Sequence, residues 1–163
     1  MSRIQLLLRV NPTNSGKNTL TLSAEDKVEL NEIAGRYGDS IDDRDWTKLR
    51  KIFTTDAVFD LTPIGSRICN GIEDIINFME YEAAHPRTHT MTNVYCDPHP
   101  KKEGCVDLRF RLVGFIGKGK VTVASYYDTC VKTPDGWRVQ HREVHKRRRD
   151  KREADVDKRG ISL

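Results

Sequence analysis

The sequence predicts an α+β domain in which three N-terminal helices pack on a strongly curved antiparallel sheet and enclose one pocket, giving a cone-shaped fold. Two observations predict it. Apolar residues recur at helical spacing between residues 23 and 82, whereas residues 88–145 form strand-like segments separated by turns. Folding one curved sheet over the helices is the economical way to bury both apolar sets. The concave face of such a sheet is a natural place for a small ligand.

The first helix is predicted to begin at Ser23, because Asp26 three residues later completes a capping-box pattern. Apolar residues then recur with the period of a helix and define its buried side. These residues are Leu30, Ile33, Ala34, Tyr37 and Ile41. We therefore expect the apolar side of this helix to pack against the sheet.

Two further helices and a short strand are predicted next. Asp45 is expected to cap the second helix, and the third helix runs from Ile72 to Glu82 after the Asn70-Gly71 break. The short strand between them covers Ala57 to Thr62. The inward-facing residues of the two helices are expected to be Trp46, Leu49, Ile52, Phe53, Ile72, Ile75, Ile76 and Met79.

The second half of the chain predicts four strands joined as an antiparallel meander. In the second of them, apolar residues from Val106 to Leu112 alternate with charged ones. Residues 117–119 and 133–136 carry the glycines and the proline typical of hairpin turns. The predicted strands are Thr88 to Cys96, Cys105 to Ile116, Val121 to Lys132 and Trp137 to His145. The expected core residues are Leu30, Ile33, Leu49, Phe53, Ile75, Leu108, Phe110, Val123 and Val139.

Charge and composition divide the chain into three parts: a flexible arm at residues 1–22, a pocket domain at 23–147 and a charged tail at 148–163. The net charge is +4, and residues 146–160 alone hold eight Lys/Arg against four Asp/Glu. A nucleic-acid-binding domain would carry its basic excess on the folded part, so we expect no nucleic-acid partner. No apolar run reaches the roughly 18 residues of a membrane-spanning helix, so we expect no membrane association and a cytoplasmic protein with reduced cysteines.

Five histidines are candidates for a general base, since an imidazole can accept and return a proton near neutral pH. They are His85, His89, His99, His141 and His145. A buried base needs a carboxylate on its second nitrogen, and Asp39, Asp42, Asp43 and Asp45 are available in the first helical region. Residue patterns alone do not choose among them. A zinc site built from His85, His89, Cys96 and His99 is disfavoured because prolines interrupt these segments.

Three segments resemble the SnoaL-like group of the nuclear-transport-factor-two-like superfamily. Residues 36–53, RYGDSIDDRDWTKLRKIF, resemble the first signature of the group and are especially similar to that of scytalone dehydratases. Residues 88–93, THTMTN, resemble its histidine strand, and residues 135–142, DGWRVQHR, resemble its last strand. With the order of the elements, the resemblance covers residues 23–147.

The resemblance implies a catalytic pair of Asp42 and His89, with Tyr37 and Arg142 lining the same pocket. It implies a cofactor-independent lyase (dehydratase) or isomerase that requires no metal and acts on a small apolar carbonyl, polyketide, steroid or aromatic substrate. The alternative is a non-catalytic small-molecule-binding or assembly module such as a dioxygenase small-subunit-like protein. For Arg142, an ion pair with an acid on a neighbouring strand is the alternative role. The resemblance and the long strands also predict a homo-oligomer, a dimer or a trimer.

Overall fold

The computed structural model describes residues 20–147 and has the predicted α+β class, with helices packed on one curved six-stranded sheet. The predicted arm, residues 1–22, lies almost entirely outside this range, and the predicted tail, residues 148–163, lies wholly outside it. Residues 20–147 contain no helix whose length and hydropathy would suit a membrane span.

The long helix α1 (Ala24–Asp42) begins where the sequence predicts. The hydroxyl oxygen of Ser23 accepts a hydrogen bond from the backbone N–H of Asp26, and the carboxylate of Asp26 accepts one from the N–H of Ser23. Two of the unpaired N–H groups at the helix start are thereby satisfied. The whole predicted stripe is buried, so α1 lies on the sheet as expected.

The second predicted helix is only a 3₁₀ helix, Trp46–Lys51. Asp45 precedes it, but its side chain accepts a hydrogen bond from the hydroxyl of Thr47 and does not cap the backbone, so the predicted cap is wrong. The third predicted helix is divided into an α-helical part, α2 (Ile72–Asn77), and a π-helical turn, Phe78–Glu82. A further 3₁₀ turn, Thr62–Ile64, follows the first strand.

The six strands are β1 (Phe53–Asp60), β2 (Ile68–Asn70), β3 (His89–Pro98), β4 (Cys105–Gly117), β5 (Lys120–Thr133) and β6 (Gly136–Lys146). They lie in the order β2-β1-β6-β5-β4-β3. The antiparallel meander β3–β6 is as predicted. Two features differ from the expectation: β1 pairs in parallel with β6, so the sheet is mixed, and the short strand β2 was not predicted.

The core lies between the concave face of the sheet and the helices. Eight of the nine predicted core residues are buried there, and Val123 is the exception because it is only partly buried. Extra residues in β3, between Thr92 and Tyr95, and in β6, at Gln140, shift the register and bend the strands around this core. The bending leaves space between sheet and helices at one end of the domain.

Candidate active site

A cavity of about 420 Å³ lies between the helices and the inner face of β4–β6. Its walls are mostly aromatic and aliphatic, and they include Tyr37, Phe59, Phe78, Met79, Leu112 and Tyr126. Two histidines, His85 and His89, reach the same space. An apolar cavity with few convergent polar groups is the usual form of a small-molecule site.

His89 contacts Asp42 through the first ring nitrogen. His89 Nδ1 lies 2.6 Å from Asp42 Oδ1. The second carboxylate oxygen, Asp42 Oδ2, accepts hydrogen bonds from the backbone N–H of His89 at 2.8 Å and from the hydroxyl of Thr88 at 3.0 Å. The last residue of α1 is therefore fixed to the first residue of β3 by two hydrogen bonds and to the preceding Thr88 by a third.

These contacts determine the ionisation of Asp42. Burial alone would raise the pKa of its carboxyl group, but the hydrogen bonds from the backbone and ring of His89 and from Thr88 outweigh burial and lower the pKa. Asp42 is thus a carboxylate at neutral pH. Because a carboxylate only accepts hydrogen bonds, Nδ1 of His89 carries a proton, and in the neutral imidazole Nε2 then has the free lone pair.

The free nitrogen of His89 is available to a ligand. Nε2 has no hydrogen-bond partner among residues 20–147, and it is not one of their buried unpartnered atoms. The His89 side chain is 4% exposed and lines the cavity, whereas the Asp42 side chain is 25% exposed and lies behind it. The imidazole therefore stands between its carboxylate and the cavity.

Tyr37 lies on the cavity wall, one and a half helical turns before Asp42. The two side chains can approach the same histidine-bearing strand because α1 ends at Asp42. The Tyr37 ring packs against Tyr126 and Phe53, with centroids 5.9 and 6.2 Å away. Burial raises the pKa of the Tyr37 phenol, so it keeps its proton at neutral pH and can donate a hydrogen bond.

Arg142 does not line the cavity, in contrast to the expectation. Its side chain is fully buried beneath the aromatic wall, where Nε and Nη2 donate hydrogen bonds of 2.8 and 2.6 Å to the two oxygens of Asp128. Five aromatic rings surround the guanidinium: Tyr37, Phe53, Phe59, Phe110 and Tyr126. The register explains the pairing, since Asp128 of β5 lies directly opposite Arg142 of β6.

The other candidate bases and acids lie apart from His89, except for one. His99, His141 and His145 lie outside the cavity lining, and Asp43 forms an ion pair with Lys48. His85, however, shares the cavity, with its ring centroid 6.1 Å from that of His89. Residues 20–147 contain no cluster of three or more His, Cys, Asp or Glu side chains arranged to hold a metal ion.

Tyr126 also lies in the cavity wall, although it was not among the residues expected there. Its ring stacks on Phe110 with centroids 4.8 Å apart, and burial raises its pKa well above the ordinary value. The adjacent Tyr127 is exposed on the opposite face. The alternation of β5 with its partner β4 could have indicated which tyrosine faces inward, because Tyr126 is opposite the predicted core residue Phe110.

Comparison with known families finds that the SnoaL-like domain matches residues 22–143. An uncharacterized protein of Mycobacterium tuberculosis is 28% identical over 127 residues, which cover 72% of this chain and 82% of the relative.

Several solved structures share the fold. A proposed aromatic ring hydroxylase of Novosphingobium aromaticivorans has a TM-score of 0.65 at 21% identity and covers 79% of this chain and 94% of its own. A proposed scytalone dehydratase of the same organism has a TM-score of 0.59 at 17% identity, and the match covers 74% of this chain and 83% of the dehydratase chain. Hexachlorocyclohexane dehydrochlorinase LinA-type3 of Novosphingobium barchaimii has a TM-score of 0.61 at 14% identity, and the match covers 74% of this chain and 86% of the dehydrochlorinase chain.

Proposed function

The chain belongs to the SnoaL-like domain family, within the nuclear-transport-factor-two-like superfamily, and we propose that it is a cofactor-independent lyase or isomerase acting on a small apolar carbonyl compound. The observation that carries the proposal is the imidazole of His89, held by Asp42 at 2.6 Å on the wall of an apolar cavity. The names of two structural neighbours, a proposed scytalone dehydratase and a dehydrochlorinase, support elimination as the reaction type.

In the proposed reaction, Nε2 of His89 takes a proton from a carbon next to the substrate carbonyl. The electron pair of that C–H bond moves into the enolate, and the carboxylate of Asp42 stabilises the imidazolium that forms. Return of the electron pair expels a hydroxyl group on the neighbouring carbon, and the imidazolium proton leaves with it as water. The histidine is then neutral again, and the product has gained a carbon–carbon double bond. Isomerisation uses the same first step, and the proton returns to a different carbon.

Tyr37 and Arg142 have different parts in this proposal. The protonated phenol of Tyr37 donates a hydrogen bond to the substrate oxygen, where negative charge develops. Arg142 acts through the wall: its guanidinium carbon lies 4.2 Å from the centroid of the Tyr37 ring and 5.2 Å from that of Tyr126. The positive charge of Arg142 stabilises the negative charge that develops on the substrate oxygen beside this wall. Arg142 itself does not contact the substrate.

The first test measures proton abstraction directly. In D₂O, the wild-type protein should accelerate deuterium incorporation next to the carbonyl of 1-indanone, and it should convert 3-hydroxy-1-indanone to indenone. The variant His89→Ala should lower both rates by roughly two to four orders of magnitude, because it removes the general base. His145→Ala is the matched control, since His145 lies on the outer face of the sheet with a half-exposed side chain.

Equal rates for the wild-type protein and His89→Ala, with both folded, would exclude His89 as the base. A wild-type protein that binds these ketones without exchange or dehydration would instead favour the binding-module function.

A further inference from the structure

His85 is the second imidazole of the cavity, and the proposed reaction does not use it. It lies in the short connection between the π-helical turn Phe78–Glu82 and β3. Its Nε2 lies 2.7 Å from the carbonyl oxygen of Met79. Because a carbonyl only accepts hydrogen bonds, Nε2 carries the proton and Nδ1 has the free lone pair.

The π-helical turn makes this contact available. The N–H of Ala83 bonds to the carbonyl of Phe78, five residues back, and ends the turn there. The carbonyl oxygen of Met79 is the next acceptor at the C-terminal end of the turn, and it accepts a hydrogen bond from the ring of His85. The backbone of the cavity wall thus fixes the tautomer of this histidine, opposite to that of His89.

His85 is also held in place and kept neutral. Its ring lies against the indole of Trp46, with centroids 5.6 Å apart and planes inclined by 31°. Burial is the largest effect on the pKa of His85 and lowers it. The positive charge of Arg44, and that of a protonated His89, act in the same direction, against the hydrogen bond that the ring donates to the Met79 carbonyl and against the negative charge of Asp42. A neutral ring with its proton on Nε2 offers an acceptor at Nδ1. That atom has no hydrogen-bond partner among residues 20–147 and is not one of their buried unpartnered atoms.

We propose that His85 is a specificity residue whose Nδ1 accepts a hydrogen bond from a hydroxyl group that remains on the substrate. The inference deepens the proposed function and rests on it for the cavity being a substrate site. The substrate class is then a hydroxylated carbonyl compound, such as a phenolic ketone, with its acidic C–H at His89 and a separate O–H at His85. A hydroxyl that leaves as water is not this group, because a leaving group needs a proton donor.

The experiment compares binding of three probes: 1-indanone, 6-hydroxy-1-indanone and 6-methoxy-1-indanone. The wild-type protein should bind the hydroxy probe about threefold to tenfold more tightly than 1-indanone, as one hydrogen bond provides. The methoxy probe should bind no more tightly than 1-indanone, because it lacks a hydrogen-bond donor. His85→Leu should abolish the preference with little change in affinity for 1-indanone. His85→Gln should retain part of this preference, because the glutamine amide can donate a hydrogen bond to the Met79 carbonyl and still accept one from the hydroxyl of the probe.

Two variants separate this inference from the proposed function. His89→Ala abolishes turnover if His89 is the base, yet the hydroxyl preference should persist in it, because binding requires no proton transfer. His145→Leu, on the outer face of the sheet, should behave as wild type. Equal binding of the three probes by wild type, or an unchanged preference in His85→Leu, would overturn the role of His85 and leave the role of His89 untouched.

A spectroscopic readout covers the case in which His85→Leu does not fold. In wild-type protein labelled with ¹⁵N-histidine, the Nδ1 resonance of His85 should shift on addition of 6-hydroxy-1-indanone and not on addition of 1-indanone. A response of the same size to both probes would overturn the inference.

Discussion

Arg142 and Asp128 are both fully removed from solvent, which makes them the most costly charges in the described part of the protein. Burial alone would lower the pKa of the guanidinium, but the carboxylate of Asp128 outweighs it and raises the pKa, so Arg142 stays charged. Two hydrogen bonds to Asp128 and the faces of five aromatic rings compensate for the lost water. One donor, Nη1, has no partner among residues 20–147.

Removing the carboxylate should therefore be severe. We predict that Asp128→Ala lowers the free energy of unfolding by about 3–5 kcal/mol, because it leaves an unpaired buried charge. Chemical denaturation monitored by circular dichroism measures this loss. Glu73→Ala is the control, since it breaks the exposed ion pair with Arg50 and should change stability little. A double variant, Asp128→Leu with Arg142→Met, should lose less than Asp128→Ala; an equal or larger loss would contradict the argument.

At the residue scale, two of the four residues that the resemblance implied, Tyr37 and His89, line the cavity, whereas Asp42 lies behind His89. The resemblance placed Asp42, His89 and Tyr37 together, and the structure has them on the end of α1, the start of β3 and the cavity wall. Arg142 could not be assigned in the same way. Whether a strand arginine faces a cavity or an acid depends on the partner strand, and the extra residue Gln140 in β6 shifts the register so that Asp128 lies opposite Arg142.

At the scale of elements, the contact between α1 and β3 holds Asp42 and His89 in position. A Cβ atom added at Gly38 would lie 3.1 Å from the carbonyl oxygen of His89 and 3.4 Å from two atoms of Met91. Glycine thus allows the helix backbone to approach the strand one turn before Asp42. The close approach makes the distance between Asp42 and His89 depend on this one position.

We predict that Gly38→Ala displaces β3 from α1 by a few tenths of an ångström and lowers the rate of deuterium exchange on the order of tenfold. Gly35→Ala, on the same helix, is the matched control, because an added Cβ meets no atom within 4 Å there. It should leave exchange unchanged and raise stability by up to about 1 kcal/mol through helix propensity. Equal exchange rates in the two variants would show that the close approach does not position His89.

The elements that the sequence predicted well are those whose residues have a long, regular period. Helix α1 and the meander have many repeats of the pattern, so local chemistry and tertiary packing agree. Only seven residues, 46–52, lie between Asp45 and the start of β1 at Phe53, too few for a helix to offset the cost of nucleation, and six of them form a 3₁₀ helix. Helix α2 is equally short, but it continues directly into the π-helical turn as one longer helical segment.

The remaining differences arise from contacts that a local pattern does not contain. Strand β2 has three residues, Ile68–Asn70, too few to show alternation, and it exists because β1 offers it an edge. The parallel pairing of β1 with β6 joins segments from opposite ends of the domain. The π-helical end of the third helix keeps the apolar spacing almost unchanged, so the sequence could not distinguish it from a continued α-helix.

At the scale of the whole molecule, the outer face of the sheet carries exposed aromatic side chains. Tyr95 is 57% exposed and Tyr127 is 39% exposed. The guanidinium of Arg109 lies over the Tyr127 ring, 4.8 Å from its centroid, and His145 meets the same ring edge-on at 5.1 Å. Aromatic residues with arginine are typical of protein–protein interfaces, and a central patch on a sheet suits a twofold contact.

The homo-oligomer expected from the sequence therefore stays a prediction with a defined surface: two copies should associate through the outer face of β3–β6. Sedimentation equilibrium at micromolar concentration should give a mass above that of one chain, and Tyr127→Glu should shift it towards the monomer. The variant replaces the aromatic ring at the centre of the patch, between Arg109 of β4 and Glu143 of β6, by a carboxylate that is costly to bury in an interface. Tyr81→Glu is the control, because Tyr81 is 74% exposed on the π-helical turn, away from the sheet. A wild-type protein that is monomeric under these conditions, or a Tyr81→Glu variant that dissociates as readily as Tyr127→Glu, would exclude this interface.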